Sequence, residues 1–125
     1  MQALKRHSRQ KGSEGEDRAA AWLRSQGWTI RERNFRTRKG EVDIIAEKGP
    51  LVAFFEVKTW GCLPASELEY SVSARKRARI EQTARFYLAS NPRLAARRLR
   101  FDVLFLVPGT SEIRHIEDAF QGGAD

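Results

Sequence analysis

Gly40-Glu41-Val42-Asp43-Ile44-Ile45-Ala46, then Lys48-Gly49-Pro50, then Ala53-Phe54-Phe55-Glu56-Val57-Lys58-Thr59: this stretch decides the fold. Two β-rich runs, Glu41–Ala46 and Leu51–Thr59, flank a Gly-Pro turn signal, which predicts a hairpin. Glu56 and Lys58 are two apart on a strand and so share a face. The short turn makes residues whose numbers sum to roughly 97–99 cross-strand neighbours. An odd sum sets Asp43 on the face of Glu56, and an even sum sets it on the other face. In the first case two carboxylates and an ammonium meet. Oxygen-only ligands of this kind suit a hard divalent cation, Mg²⁺ or Mn²⁺.

Phosphodiester hydrolysis asks for these residue types. It needs an attacking hydroxide and relief of charge on the phosphate, which a metal supplies and a neighbouring Lys assists. Glu-x-Lys alone is a weak signal, expected about 0.5 times by chance in a chain of this composition. The competing reading is a solvated cross-strand ion pair. Against it, the charges lie within Ala53–Trp60 and Val42–Ala46, where most neighbours are apolar and unpaired charges are rare.

Working outward, Ser13–Gln26 reads as a helix with Ala19, Ala20 and Leu23 on one face and Gly27 as its stop. At about 100° per residue, Leu23 lies ~20°, Ala20 ~40° and Ala19 ~60° from Glu16, so this carboxylate sits within the apolar arc. Ser13-Glu14-Gly15-Glu16 also fits a capping box, in which Glu16 only caps the helix. Trp28–Asn34 alternates weakly, as a strand would. Ser73–Asn91 is the clearest helix, capped by Ser73, striped by Ile80, Ala84, Tyr87 and Leu88, and ended by Pro92. Lys76 lies one turn before Ile80 on that stripe, either aimed at the site or snorkelling at a helix start. A short helical piece follows around Leu94–Arg98. Leu99–Val107 reads as a strand buried on both faces, and Glu112–Ile116 as an edge strand. The expectation is an α/β fold, a mixed sheet flanked by helices in the order α-β-β-β-α-β-β. Asp102 is a charge in the buried run, expected to pair with a helix Arg and given no catalytic role.

The chain has 125 residues and 12 aromatic side chains, enough for one domain with its own core. Residues 13–120 read as that domain, residues 1–12 as a basic flexible tail and 121–125 as a second tail. Its 23 basic and 16 acidic residues give a net charge of +7. Seventeen of the basic residues are Arg, whose planar fork suits phosphate. Arg31, Arg33, Arg36, Arg38 and Lys39 precede Asp43, and Arg75, Lys76, Arg77 and Arg79 lie on the second helix. These runs predict a nucleic-acid partner held by its phosphates, DNA ahead of RNA. Trp60 either stacks on a base or shields the sheet edge. One cysteine, Cys62, with His7 and His115 excludes an internal disulfide and a Cys/His zinc cluster. The absence of a signal-like or spanning apolar run leads to the expectation of a cytoplasmic protein with no membrane partner.

Gly15-Glu16, Arg33-Asn34, Gly40-Glu41-Val42-Asp43, Phe55-Glu56-Val57-Lys58-Thr59, Arg100-Phe101-Asp102-Val103 and Asp118-Ala119-Phe120 together resemble the small bacterial YraN-type family. That family is grouped with the PD-(D/E)xK nuclease superfamily, close to archaeal Holliday-junction resolvases. The resemblance runs from about Gly12 to Phe120 and implies a restriction-endonuclease-like fold. It further implies Asp43 and Glu56 as metal ligands, Lys58 as the catalytic lysine and Glu16 as the helix carboxylate. Trp60 departs from the pattern, standing where the family commonly has Arg. The expected activity is metal-dependent endonucleolytic cleavage of DNA, on branched or single-stranded structures. The alternative is a non-catalytic nucleic-acid-binding or DNA-repair accessory protein. Resolvases need two sites for two strands, which adds the expectation of a homodimer, although no apolar stripe marks its interface.

Overall fold

The computed structural model describes residues 2–59 and 74–119, with side chains from residue 14 onward. Ser73, Trp60, Cys62 and the closing residues 120–125 lie outside the described residues. The elements are α1 (Gln2–Ser25), β1 (Thr29–Arg36), β2 (Glu41–Lys48), β3 (Leu51–Thr59), α2 (Ala74–Ala89), a 3-10 turn (Pro92–Leu94), β4 (Arg98–Leu106) and β5 (Ile113–Ile116). The expected order α-β-β-β-α-β-β is the observed one. The short helical piece placed near Leu94–Arg98 is the 3-10 turn, set three residues earlier because Pro92 starts it. No helix among the described residues is long and apolar enough to cross a membrane.

The largest departure is at the start. Helix α1 begins at Gln2 rather than Ser13, so the segment read as a tail continues the helix. Its Ala, Leu, Lys, Arg and Gln residues carry good intrinsic helix propensity, which needs no apolar stripe to express itself. Ser13 therefore sits inside the helix, and the capping-box reading of Glu16 falls. The other end is as expected: Gly27 at φ 96° closes α1. Trp28 N–H donates to Leu23 O at 3.0 Å and Gly27 N–H to Arg24 O at 3.1 Å. This is the closing pattern that a left-handed glycine permits.

The five strands form one sheet in the order β1-β2-β3-β4-β5, antiparallel except for β3 beside β4. Helix α2 makes the crossover that a parallel neighbour requires. On one face α1 packs Ala19, Ala20 and Leu23 over Ile44, Phe55 and Leu104. On the other, α2 packs Ile80, Ala84 and Tyr87 over Ile45, Phe54, Val103 and Phe105. Strand β4 is buried continuously from Phe101 to Leu106, because helices cover both its faces.

The β2–β3 register pairs Ile44 with Phe55 and Lys48 with Leu51, a sum of 99. The sum is odd, so continuing it sets Asp43 opposite Glu56. The ladder stops at Ile44–Phe55. Beyond that point β2 stays with β1 as far as Arg36–Glu41, while β3 stays with β4 as far as Thr59–Leu106. The two central strands fork there.

The fork has a local cause in β1. Asn34, which faces Asp43 in the β1–β2 register, adopts φ 54°. Asn is the residue besides glycine that tolerates this conformation best. The twist breaks the alternation of β2: Val42 and Ile44, two apart, pack in opposite cores. The turn after β1 then docks on α2. Thr37 N–H donates to Gly40 O at 2.8 Å, and a Cβ built on Gly40 would lie 2.9 Å from Arg79 Cβ and 3.2 Å from Thr83 Oγ1. Only glycine fits there without displacing the helix. Gly40→Ala should cost about 1–3 kcal/mol by overpacking, with a lowered melting temperature in thermal unfolding as the check.

Candidate active site

The fork collects side chains from both faces. Asp43 is half-buried at its root, and Asp43 Oδ2 accepts the Val57 N–H at 2.8 Å, taking the place of the interrupted ladder. Glu56 is 7% exposed and receives Lys76 Nζ on Oε2 at 2.5 Å, with Lys58 Nζ at 3.6 Å from the same oxygen. Glu16 reaches in from α1, only 8% exposed, and its Oε1 has no hydrogen-bond partner. An unpaired buried carboxylate oxygen is costly and calls for a donor or a cation.

The electrostatics follow from this crowding. Burial pushes the Asp43 carboxyl up, and the neighbouring charges of Glu56, Glu16 and Glu41 add to it against the Val57 N–H, bringing it to about 7. Burial likewise lifts Glu16, with Glu41 and Asp17 adding to it, although the Asn34 side chain and Arg33 pull the other way. For Lys76 burial alone would favour the neutral amine, but Glu56 and Asp43 outweigh it and hold the ammonium. Burial first, and the neighbouring carboxylates after it, therefore disfavour the ionised form of Asp43.

A cavity of 580 Å³ opens over Asp43, Glu56 and Lys76, lined also by Gly40, Glu41, Arg75, Arg79 and Ile80; Glu16 and Lys58 do not line it. A second, of 530 Å³, adjoins it through Gly40, Glu41 and Arg79 and is lined by Arg36, Arg38 and Lys39. Six of the nine expected phosphate-binding residues thus border the two cavities. Arg31, Arg33 and Arg77 do not line them. Arg31 donates to Tyr87 Oη at 2.8 Å and Glu47 Oε2 at 2.9 Å, because its strand position faces the α2 core. Arg33 pairs with Asp17 of α1 at 2.6 Å, on the face opposite to Arg31 because the strand register shifts between Ile30 and Glu32. Arg77 is exposed on α2 between the cavity-lining Lys76 and Arg79.

Two contributors went unassigned in the sequence. Glu41 lines both cavities and is paired with Arg36 at 3.3 Å, and its place two residues before Asp43 was the available signal. Asn34 shapes the fork through a left-handed conformation that no apolar pattern announces. Asp102 pairs with Arg100 of its own strand and with His115, not with a helix Arg, because residues two apart on a strand share a face.

The family described as Uncharacterised protein family UPF0102 matches residues 15–106. A UPF0102 protein of Persephonella marina is 41% identical over 110 residues, covering 88% of this chain and 92% of its own. One from Treponema denticola is 39% identical, covering 87% and 93%, and one from Syntrophomonas wolfei is 40% identical, covering 90% and 99%. The chain is a member of the UPF0102 family. The span matched holds Glu16, Asp43, Glu56 and Lys58, so the fork lies within the shared region.

The raised Asp43 carboxyl has a consequence for stability. The folded state holds its proton to about pH 7, whereas the unfolded chain releases it near 3.8. Stability without metal is therefore full below the unfolded value and is lost as pH rises from about 4 to 7. Asp43→Asn keeps an acceptor for Val57 N–H and removes the charge. It should melt above wild type at pH 8, by roughly 1 kcal/mol or more, with the difference gone at pH 4. Thermal melts of both proteins across this range are the check.

Proposed function

We propose that this protein is a metal-dependent endonuclease that hydrolyses phosphodiester bonds of DNA. The observation that carries the reading is the fork: it sets Asp43 beside Glu56, with the unpartnered Glu16 oxygen buried nearby and Lys58 on the same strand face. The resemblance of these residues to the nuclease superfamily and its junction resolvases supports it. So do the Arg and Lys side chains around the two adjoining cavities.

The donor set fits Mg²⁺ or Mn²⁺. It is all oxygen, and the Asp43 carboxyl, raised by burial and by its carboxylate neighbours, would be relieved by a cation. Asp43 and Glu56 would hold the ion, which when bound supplies a hydroxide near neutral pH and draws charge from the phosphate. Among the described residues no third carboxylate, imidazole or thiolate closes a ready-made shell. Glu16 would then act through water, holding it by the free Oε1 and orienting it toward the phosphorus. Lys58, on the strand face of Glu56, donates to the phosphate oxygens as charge builds. Arg75 and Arg79 at the near wall, with Arg36, Arg38 and Lys39 beyond, hold the flanking phosphates without reading sequence.

One observation favours a second reading. Lys76 already neutralises Glu56 from within the chain, as it would in a nucleic-acid-binding accessory protein whose carboxylates are structural. Cleavage assays with Mn²⁺ on linear, single-stranded, flapped and four-way DNA separate the two. Wild type should cleave at least one of these, Asp43→Asn and Glu56→Gln should abolish cleavage while keeping DNA affinity, and Glu16→Gln should slow it at least roughly tenfold. A wild-type protein that binds DNA yet shows neither cleavage nor stabilisation by Mn²⁺ would establish the accessory reading instead.

A further inference from the structure

A separate group of charges sits at the opposite end of the strands. Lys48 ends β2, five residues from Asp43 and so about 16 Å along the strand. Beside it a cavity of 190 Å³ is lined by Trp22, Trp28, Lys48, Arg100, His115 and Glu117, among others. Asp102 lies beneath it, wholly buried. Its carboxylate accepts Arg100 Nε at 2.9 Å and Arg100 Nη2 at 2.8 Å, His115 Nε2 at 2.7 Å and the Asp118 N–H at 3.0 Å. Burial would raise this carboxyl, but His115, Arg100 and the Asp118 N–H together hold it below its ordinary range.

The proton positions follow. An ionised carboxylate only accepts, so His115 Nε2 carries the hydrogen and Nδ1 is the remaining ring nitrogen. Among the described residues Nδ1 has no hydrogen-bond partner. Arg100 spends two of its five N–H groups on Asp102, and its Nη1 stands 3.8 Å from the largely exposed Glu117. Lys48 Nζ gives one N–H to Gln26 O at 2.8 Å and has two more. Both cations lie over the Trp28 ring, at 5.8 and 5.9 Å from its centroid, and Trp22 meets His115 edge-on.

We propose that this cavity is a second ligand site, binding a compact dianionic oxyanion of the sulfate or phosphate class through Lys48, Arg100 and the His115 imidazolium. Nδ1 donates only when the ring is doubly protonated, so binding takes up one proton. Of the groups facing His115, the carboxylates of Asp102 and Glu117 favour the imidazolium, whereas Arg100 and Lys48 oppose it but attract the anion that would offset all three cations. Tying down the turn at Asp118 accounts for the carboxylate of Asp102 but not for the donors left over on Lys48 and Arg100. The site is independent of the nuclease reading. Its ligand is either a free inorganic anion or the terminal phosphate of a nucleic-acid strand.

Sulfate is the probe, because its charge is constant between pH 5.5 and 8, the interval in which imidazoles titrate. At fixed ionic strength, sulfate should move the His115 imidazole NMR signals saturably, with affinity at least tenfold weaker at pH 8 than at pH 5.5. Lys48→Gln changes an exposed side chain, and His115→Gln keeps a donor for Asp102. Both should melt near wild type and bind sulfate at least tenfold more weakly. Displacement of sulfate by a 5′-phosphorylated oligonucleotide, but not by its 5′-hydroxyl twin, supports the site and assigns it to strand ends. Displacement by neither supports it as a free-anion site. Absence of a saturable shift, or equal binding by wild type and both variants, overturns the proposal and leaves Asp102 as a structural tie.

Discussion

The hydrogen bond from Val57 N–H to Asp43 is the interaction on which the centre of this molecule depends. A hairpin left to itself would continue its ladder to the strand ends. Here β2 and β3 are each held by an outer neighbour, β1 and β4, and those pairings persist after the central one stops. The freed N–H must find an acceptor, since a buried one left alone is costly. The Asp43 carboxylate provides it, and in doing so is fixed between the strands rather than on either face. A carboxylate in that position can be reached from α1 on one side and from α2 on the other.

That geometry explains why groups so far apart in sequence share one electrostatic problem. Glu16 belongs to the α1 face, Lys76 to the α2 face and Asp43 to the gap, yet the charge of Glu16 contributes to lifting Asp43. The turn of Thr37–Gly40 is drawn onto α2 by the same arrangement, with Gly40 against Arg79 and Thr83. The basic side chains of the turn and of the helix are thereby brought around one opening. Sequence distance between Arg38 and Arg79 is large, and a single glycine contact closes it.

Much of this was legible in the sequence, and the failures have physical reasons. The strands and the second helix follow from alternation, a short turn and an apolar stripe, all local signals, whereas the register stayed open until the pairing of Ile44 with Phe55 showed the sum to be odd. The length of α1 was missed because propensity without amphipathicity leaves no periodic trace. Glu16 was singled out by its place among Ala19, Ala20 and Leu23, and its capping alternative could be removed only once the helix was seen to pass through Ser13. Arg31 and Arg33 were grouped with the other basic residues by proximity in the chain. The register shift between Ile30 and Glu32 puts these two side chains, two apart, on opposite faces, and a one-residue shift is invisible to a periodicity argument.

The two aspartates of the sheet show what separates a structural charge from a reactive one. Asp102 is the more deeply buried, with no exposed surface, yet four donors saturate it and its carboxyl is held below the ordinary range. Asp43 is less buried, but it has one backbone donor, and burial followed by the charges of Glu56, Glu16 and Glu41 lifts its carboxyl to about 7. Burial raises both. What differs is satisfaction: at Asp102 the fold supplies the compensating protons, whereas at Asp43 it leaves the charge for something else to meet. A free energy that the chain does not discharge internally is available to a ligand, and a cation that stabilises the ionised pair gains what the apo protein lacks. By that measure the fork, not Asp102 itself, is where a cation should be sought.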